Sequence, residues 1–227
     1  MKKETIVISV GGSLIVPEEI DVSWLKEFKR VITENTERFR FVLIAGGGRT
    51  CRKYQHAAKE LVEMSNTDLD WLGIEVTRMN AYFVKTIFKG KAYEKVIYNP
   101  TEKIKTDKDI IVGCGWKPGT STDMDAVLMA KSFGVKRVIN LSNIDYVYDK
   151  DPKKFKDAKP IKEMKWKEFR SKVLPKEWIS GSNTPFDVSA SAEAEKLGIE
   201  IAVMNGKNLN NFQNYLDGKV FVGSLIN

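Results

Sequence analysis

The sequence predicts an α/β fold, a three-layer αβα sandwich with a mainly parallel central sheet. Two observations predict it. Short β-branched runs alternate with longer segments of helical periodicity, and the runs are apolar throughout, as strands buried on both faces are. The 227 residues, set against about 150 per domain, are enough to bury a real core, and no Gly/Ser linker, repeat or low-complexity tract divides them. One continuous sheet is the simplest account.

The predicted strands are Ile6-Val7-Ile8, Phe41 to Ala45, Lys95 to Tyr98, Ile110 to Val112, Arg137 to Leu141 and Ile199 to Met204. Between the first two, Trp24, Leu25, Phe28, Val31 and Ile32 recur at helical spacing behind Asp21 or Ser23 as a cap. Tyr54, Ala57, Ala58, Leu61 and Val62 give a second helix, and Leu72, Val76, Met79, Phe83 and Ile87 a third. Lys150 to Pro160, with Pro152 and Pro160, reads as an excursion off the sheet.

Composition removes several function classes. With 42% apolar and 30% charged residues the chain fits neither disorder nor a membrane protein, and no run approaches the roughly 20 apolar residues of a spanning helix. The apolar run before Gly11 is too short for a signal peptide, so a soluble, cytoplasmic protein is expected. Cys51 and Cys114 are too few for a disulfide framework or a four-thiolate zinc site. His56 is the only histidine, which disfavours His-based triads and His-rich metal sites; a solvated helix face is its expected place.

The net charge of +7 lies in one segment. Lys150 to Lys176 holds eleven basic and four acidic residues, and the remainder is neutral. Such a stripe can bind nucleic acid, yet Trp166 and Phe169 within it have the spacing of a helix core face, which favours solvated surface. Nucleic acid is not the expected partner.

Three glycine-rich turns follow predicted strands: Gly11-Gly12-Ser13, Gly46-Gly47-Gly48 and Gly113-Cys114-Gly115. In a parallel sheet they share the carboxyl edge, where ligands bind and helix N-termini point. Glycine lets backbone N–H groups close on an anion, so a polyphosphate site is expected there. Neither G-x-x-x-x-G-K-[ST] nor G-x-G-x-x-G occurs, so the site is of another type. Arg52 lies four residues beyond Gly48. Trp116-Lys117-Pro118-Gly119-Thr120-Ser121-Thr122-Asp123 is dense in donors, with Thr122 or Asp123 as cap of the next helix. Asp125, an acid in that helix turn, suits either the helix N-terminus or the ligand site. Asn143 and Asp145 suit a turn; Asp145 and Asp187 could also order lysines or carry magnesium.

Taken together these residues resemble the amino acid kinase family, most closely its archaeal-type uridylate (UMP) kinase branch. The resemblance covers nearly the whole chain. It rests on Val10-Gly11-Gly12-Ser13, Gly46-Gly47-Gly48 with Arg52, Asp70-Trp71-Leu72-Gly73-Ile74 followed by Thr77-Arg78 and Asn80-Ala81, Pro118-Gly119 with Thr122-Asp123, and Asn143-Ile144-Asp145 with Val147-Tyr148 and Asp151-Pro152. It implies transfer of the γ-phosphate of ATP, with Mg2+, to UMP across the strand ends, and a homo-oligomer, typically a hexamer. The whole of 1–227 would be one such domain, with an acceptor-binding lobe over roughly 1–130 and an ATP-binding lobe over roughly 131–227.

By the same resemblance Gly12, Ser13, Gly48 and Arg52 would contact the ATP phosphates, and Ser142, Tyr148 and Asp151 its nucleoside end. Gly47, Asp70 and the loop Trp116, Lys117, Pro118, Gly119, Thr120, Ser121 and Thr122 would hold the acceptor. Asp70 would accept from a ribose, although alone it also suits a helix N-cap. Arg52, Lys117 and Asp187 are the candidates for charge stabilisation, and no residue is assigned as a general base.

Three elements depart from the family pattern, the last of them retaining its Asp187. Ser9 stands where many relatives carry a phosphate-binding lysine, Tyr146 replaces the glycine of N-V-D-G-V-Y, and Asp187-Val188-Ser189-Ala190-Ser191 replaces D-P-L-A-A. Three other readings compete. A different acceptor such as isopentenyl phosphate would call for a histidine at the acceptor, and His56 lies in the wrong segment. A non-catalytic nucleotide- or oxyanion-binding relative would suit Ser9, and a nucleic-acid module would use the basic stripe.

Overall fold

The computed structural model describes residues 3–152, 154–175 and 184–227. The predicted alternation is present. From the first strand, β1 (Glu4–Val10), the chain runs through α1 (Gly12–Ile15), α2 (Val22–Glu34), β2 (Phe39–Ala45), α3 (Gly48–Leu61) and α4 (Asn66–Ile87) to β3 (Ala92–Ile97) and β4 (Ile110–Gly113). It continues through α5 (Thr122–Phe133), β5 (Arg137–Ser142), β6 (Val147–Tyr148), β7 (Pro160–Ile161), β8 (Glu163–Met164) and α6 (Trp166–Lys172). The last elements are α7 (Val188–Leu197), β9 (Glu200–Asn205), α8 (Leu209–Leu216) and β10 (Ser224–Ile226).

Eight strands form one sheet in the order β3-β4-β2-β1-β5-β9-β10-β8, and β6 pairs with β7 in a separate antiparallel ribbon. All pairings in the large sheet are parallel except β9 with β10. Period-two alternation sends the strand side chains into two cores. Ile6, Ile8 and Val10 of β1 meet α2, α4 and α8 on one face, whereas Val7 meets α5, α6 and α7 on the other. That is the three-layer sandwich.

The helices follow from their caps. Asp21, not Ser23, caps α2 by accepting the Trp24 N–H at 3.0 Å, and Ser23 donates its hydroxyl to the same carboxylate. The α2 stripe buries Trp24, Leu25, Phe28, Val31 and Ile32 as expected, with Trp24 stacked on Phe28 at 4.8 Å. Helix α4 starts at a Ser65/Asp68 capping box, so Asp70 is not a cap but lies inside the helix.

The stripe expected on α3 stays outside. No residue of α3 is buried; Tyr54, Leu61 and the following Val62 are exposed because α3 rests on α4 and α1 instead of on the sheet. On α4 the core face is Leu69, Ile74, Ala81 and Val84, about a third of a turn from the predicted stripe, and Met79 is exposed. His56 is exposed beside Glu60, one helical turn away.

The basic segment is largely surface. Lys150 pairs with Asp157, Arg170 with Glu195 and Lys172 with Glu168. Trp166 and Phe169 point into the core, and the Trp166 indole donates to the Ile199 carbonyl at 2.9 Å. Lys153 and Lys176 of this segment lie outside the described residues.

Candidate active site

Five parallel strands deliver their carboxyl ends to one edge: β1 at Val10, β2 at Ala45, β4 at Gly113, β5 at Ser142 and β9 at Asn205. Two of the turns that follow are pressed together. A Cβ on Gly12 would lie 1.9 Å from the Gly48 nitrogen and 2.6 Å from the Gly46 carbonyl carbon. Gly48 has φ +67°, and a Cβ there would meet the Gly12 oxygen at 2.4 Å. Both glycines are therefore demanded by backbone contact, and Gly48 by turn geometry as well.

Helices α1 and α3 begin at Gly12 and Gly48, and neither has a side chain capping its first turn. Apart from the Arg49 N–H, which donates to the Val16 carbonyl at 3.3 Å, their leading N–H groups suit an anion. Ser13 lies in α1, Gly47 is the residue before α3, and Arg52 is exposed about one turn into α3.

One face of α4 joins the second turn to the third. The Asn80 side-chain amide donates to the carbonyls of Gly46 (2.8 Å) and Gly47 (3.2 Å), and the Thr77 hydroxyl accepts the Gly115 N–H at 2.9 Å. Both side chains are buried. Thr77 and Asn80 received no role from the sequence, although their three-residue spacing puts them on one helical face.

The loop that begins at Trp116 folds over this edge. Lys117 to Thr120 makes a turn: the Lys117 carbonyl accepts both the N–H (3.2 Å) and the hydroxyl (2.6 Å) of Thr120. Pro118 and Gly119, with φ +78° at Gly119, fill the central positions that a type II turn asks for. Asp70 reaches across from α4, its carboxylate accepting the Gly119 N–H at 2.9 Å. Lys117 extends its ammonium over the Trp116 ring, 4.1 Å from the centroid. Ser121, not Thr122 or Asp123, caps α5 by accepting the Met124 N–H; Thr122 is the first residue of the helix.

Because Ser121 is the cap, Asp123 has another task. Its carboxylate accepts the Ser9 hydroxyl at 3.1 Å and the Asp187 N–H at 3.2 Å, tying β1 and α7 to α5. Burial and the neighbouring charge of Asp187 push its carboxyl up to about 6. Asp187 is itself buried and caps α7, accepting the Ala190 N–H at 2.7 Å and the Ser189 hydroxyl at 2.6 Å. Ser9 is thus tied to a carboxylate, with no ammonium at that position of β1. Among the described residues no group of three or more Asp, Glu, His or Cys side chains is arranged to hold a metal ion.

Toward the other wing, Ser142 ends β5, and its hydroxyl accepts the Ile144 N–H at 3.3 Å. The Gly11 N–H donates to Leu141 at 2.8 Å, so Ser142 adjoins the first glycine turn. Tyr148 lies in β6, and Asp151 opens the next turn by accepting from the N–H groups of Lys154 and Phe155. Asp145 accepts from the Asn205 side chain at 2.9 Å, a link between the loops after β5 and β9. Tyr146 adopts the turn with a negative φ, since no described non-glycine residue has a positive one. Gly12, Ser13, Gly47, Gly48, Arg52, Asp70 and the 116–122 loop thus surround one stretch of the edge. Ser142 flanks it, and Tyr148 and Asp151 lie farther along the loop that leaves β5.

Comparison with known proteins bears on this arrangement. The model of the amino acid kinase family matches residues 4–205. A uridylate kinase of Methanospirillum hungatei is 34% identical over 225 residues, spanning 98% of this chain and 94% of the relative. One of Staphylothermus marinus is 33% identical, spanning 95% of each. Among solved structures, the uridylate kinase of Archaeoglobus fulgidus superposes with a TM-score of 0.84 at 28% identity, covering 98% of this chain and 99% of that one. With the matched residues running from β1 through β9, and therefore across every turn of the edge described above, the chain belongs to the amino acid kinase family.

Proposed function

We propose that the protein is a nucleoside monophosphate kinase, transferring the γ-phosphate of ATP to UMP to give UDP and ADP. The observation that carries this reading is the pressed pair of turns at Gly12 and Gly48 beside a second, separately anchored loop at Trp116 to Thr122. One polyphosphate and one monophosphate fit such an edge. The uridylate kinases similar to this chain support UMP as the acceptor.

In this reading Gly12, Ser13, Gly48 and Arg52 take the donor phosphates, and Ser142, Tyr148 and Asp151 the donor nucleoside. Gly47, Asp70 and the 116–122 loop take the acceptor. Residues 1–130 form the acceptor-binding part and 131–227 the ATP-binding part. An acceptor phosphate oxygen bonds to Pγ while the bond from Pγ to the bridging oxygen of ADP breaks. The protein's part is to align the two and to neutralise charge spread over the transferring oxygens. Backbone N–H groups, Arg52 and Lys117 suit that work, and magnesium enters with the donor as MgATP. Asp187 acts through Asp123 and the start of α7.

The unburied α3, with Tyr54 and Leu61 exposed, gives a homo-oligomer an apolar face to cover. No described helix is long and apolar enough to cross a membrane, in keeping with work in the cytoplasm.

A second reading, a nucleotide-binding relative without turnover, is favoured by one observation, the Ser9 hydroxyl bonded to Asp123 where a lysine would carry charge. A coupled ADP-release assay with MgATP and a panel of UMP, CMP, dUMP, AMP and isopentenyl phosphate decides between them. Turnover confined to UMP supports the kinase. ATP binding without turnover on any acceptor refutes it.

A further inference from the structure

Asp125 has no place in the chemistry above, yet it is fully buried in the first turn of α5. One carboxyl oxygen accepts the Trp116 N–H at 3.2 Å; the other is buried with no hydrogen-bond partner among the described residues. Stabilising the helix N-terminus does not account for it, because Ser121 already caps α5 and Asp123 already supplies an acid to its first turn. A half-satisfied buried carboxyl is costly and calls for another explanation.

Trp116 opens the loop whose far turn is held by Asp70 through the Gly119 N–H. We propose that Asp125 is a positioning residue of the acceptor site, fixing the Trp116 end of the loop as Asp70 fixes the Gly119 end. The inference rests on the proposed assignment of this loop to the acceptor.

The surroundings suit a neutral carboxyl. Burial pushes Asp125 up to about 8, against the opposing pull of the Trp116 hydrogen bond and with a smaller push from the charge of Asp123 on the same helix. From the packed elements it faces Cys114 at the end of β4, whose thiol burial pushes up to about 12, and beyond that thiol Arg78 and Glu75 of α4. Arg78 stacks over Trp71 and Tyr98 and, like Asp125, keeps a buried polar atom, its Nε, without a hydrogen-bond partner among the described residues. A neutral acid accepts the Trp116 N–H without setting a negative charge beneath an anionic acceptor.

The test compares wild type, Asp125→Asn and Asp125→Ala at pH 7 and pH 9, reading KM for UMP, KM for ATP, kcat and hydrogen exchange at the Trp116 amide. Asp125→Ala should raise KM for UMP about tenfold, the worth of one buried hydrogen bond, leave KM for ATP within about twofold, and speed exchange at Trp116. Asp125→Asn, whose carbonyl can still accept, should restore most of both. Wild type should lose UMP affinity between pH 7 and 9 and the Asn variant should not. Equal effects on both substrates, or an Asn variant as impaired as Ala, would overturn the proposal. If Asp125→Ala does not fold, the pH profiles of wild type and Asp125→Asn decide, and parallel profiles overturn it. If wild type turns over no acceptor, the kinase reading fails on its own; unchanged Trp116 exchange in Asp125→Ala then overturns the anchor.

Discussion

Replacing Gly12 by alanine tests whether the two glycine turns work by touching. The new methyl would sit 1.9 Å from the Gly48 nitrogen, and its three nearest neighbours are all backbone atoms, so no side chain can swing away. Ordinary contact begins at 3.4 Å, so the turns after β1 and β2 must part by about 1.5 Å, the difference between those two distances. Seven register pairs hold β1 to β2, and the opening concentrates at their carboxyl ends. Overpacking of this kind costs about 1–3 kcal/mol of stability. A displacement of about 1 Å among groups that align a reaction costs about a hundredfold in rate. Steady-state kinetics with UMP saturating and MgATP varied, alongside thermal unfolding, should show kcat/KM for ATP down by about two orders of magnitude in a protein that still folds. Gly48→Ala should do the same, with added strain from its φ of +67°. The double variant should cost less than the sum, because both methyls open one gap. A Gly12→Ala enzyme with wild-type kcat/KM for ATP would refute the claim that backbone apposition builds the phosphate site.

Asp70→Asn should weaken UMP far more than ATP, whereas Arg52→Ala should chiefly lower the rate; equal effects of either on both substrates contradict the assignment. Asp125→Asn should also change how stability depends on pH. The wild-type carboxyl holds its proton to about pH 8 in the fold but only to 3.8 in the open chain, so its contribution is full below pH 4 and is lost as pH climbs to 8. Urea unfolding should show the Asn variant gaining about 5 kcal/mol on wild type between pH 4 and pH 8, and a constant difference would mean that Asp125 is already ionised at pH 4. Lys150→Glu and Arg170→Glu should leave UMP turnover and solubility unchanged, each ion pair being exposed and worth under about 1 kcal/mol. Loss of turnover would reopen the basic segment as a functional surface.

The sheet was legible because every core strand is an apolar run, and the order of the runs with helices between them leaves a parallel sheet as the economical solution. The glycine turns were legible as a group, since three of them follow strands. Caps were harder. Ser65 and Ser121 compete with nearby Asp70, Thr122 and Asp123 for the same task, and only the backbone path decides which side chain meets the N2 or N3 amide. The misassigned cap hid Asp123, whose bonds reach 114 residues back to Ser9 and 64 forward to Asp187. The α3 stripe misled for a related reason: periodicity identifies an apolar face and says nothing of what covers it.

The order of strands in the sheet bears on how the protein is made. β1 stands inside the sheet, and the chain builds outward from it, first to one side through β2, β4 and β3, then to the other through β5, β9 and β10. The first wing is complete once β4 lies between β2 and β3, so all three glycine turns precede the second wing in the chain. The second wing closes late. The Ser224 hydroxyl of β10 accepts the Val147 N–H at 2.8 Å and donates to the Ile161 carbonyl, so the β6–β7 ribbon, which holds Tyr148, is braced in part by β10, far along the chain. In chain order the glycine turns of the first wing therefore come before the strand that braces the β6–β7 ribbon.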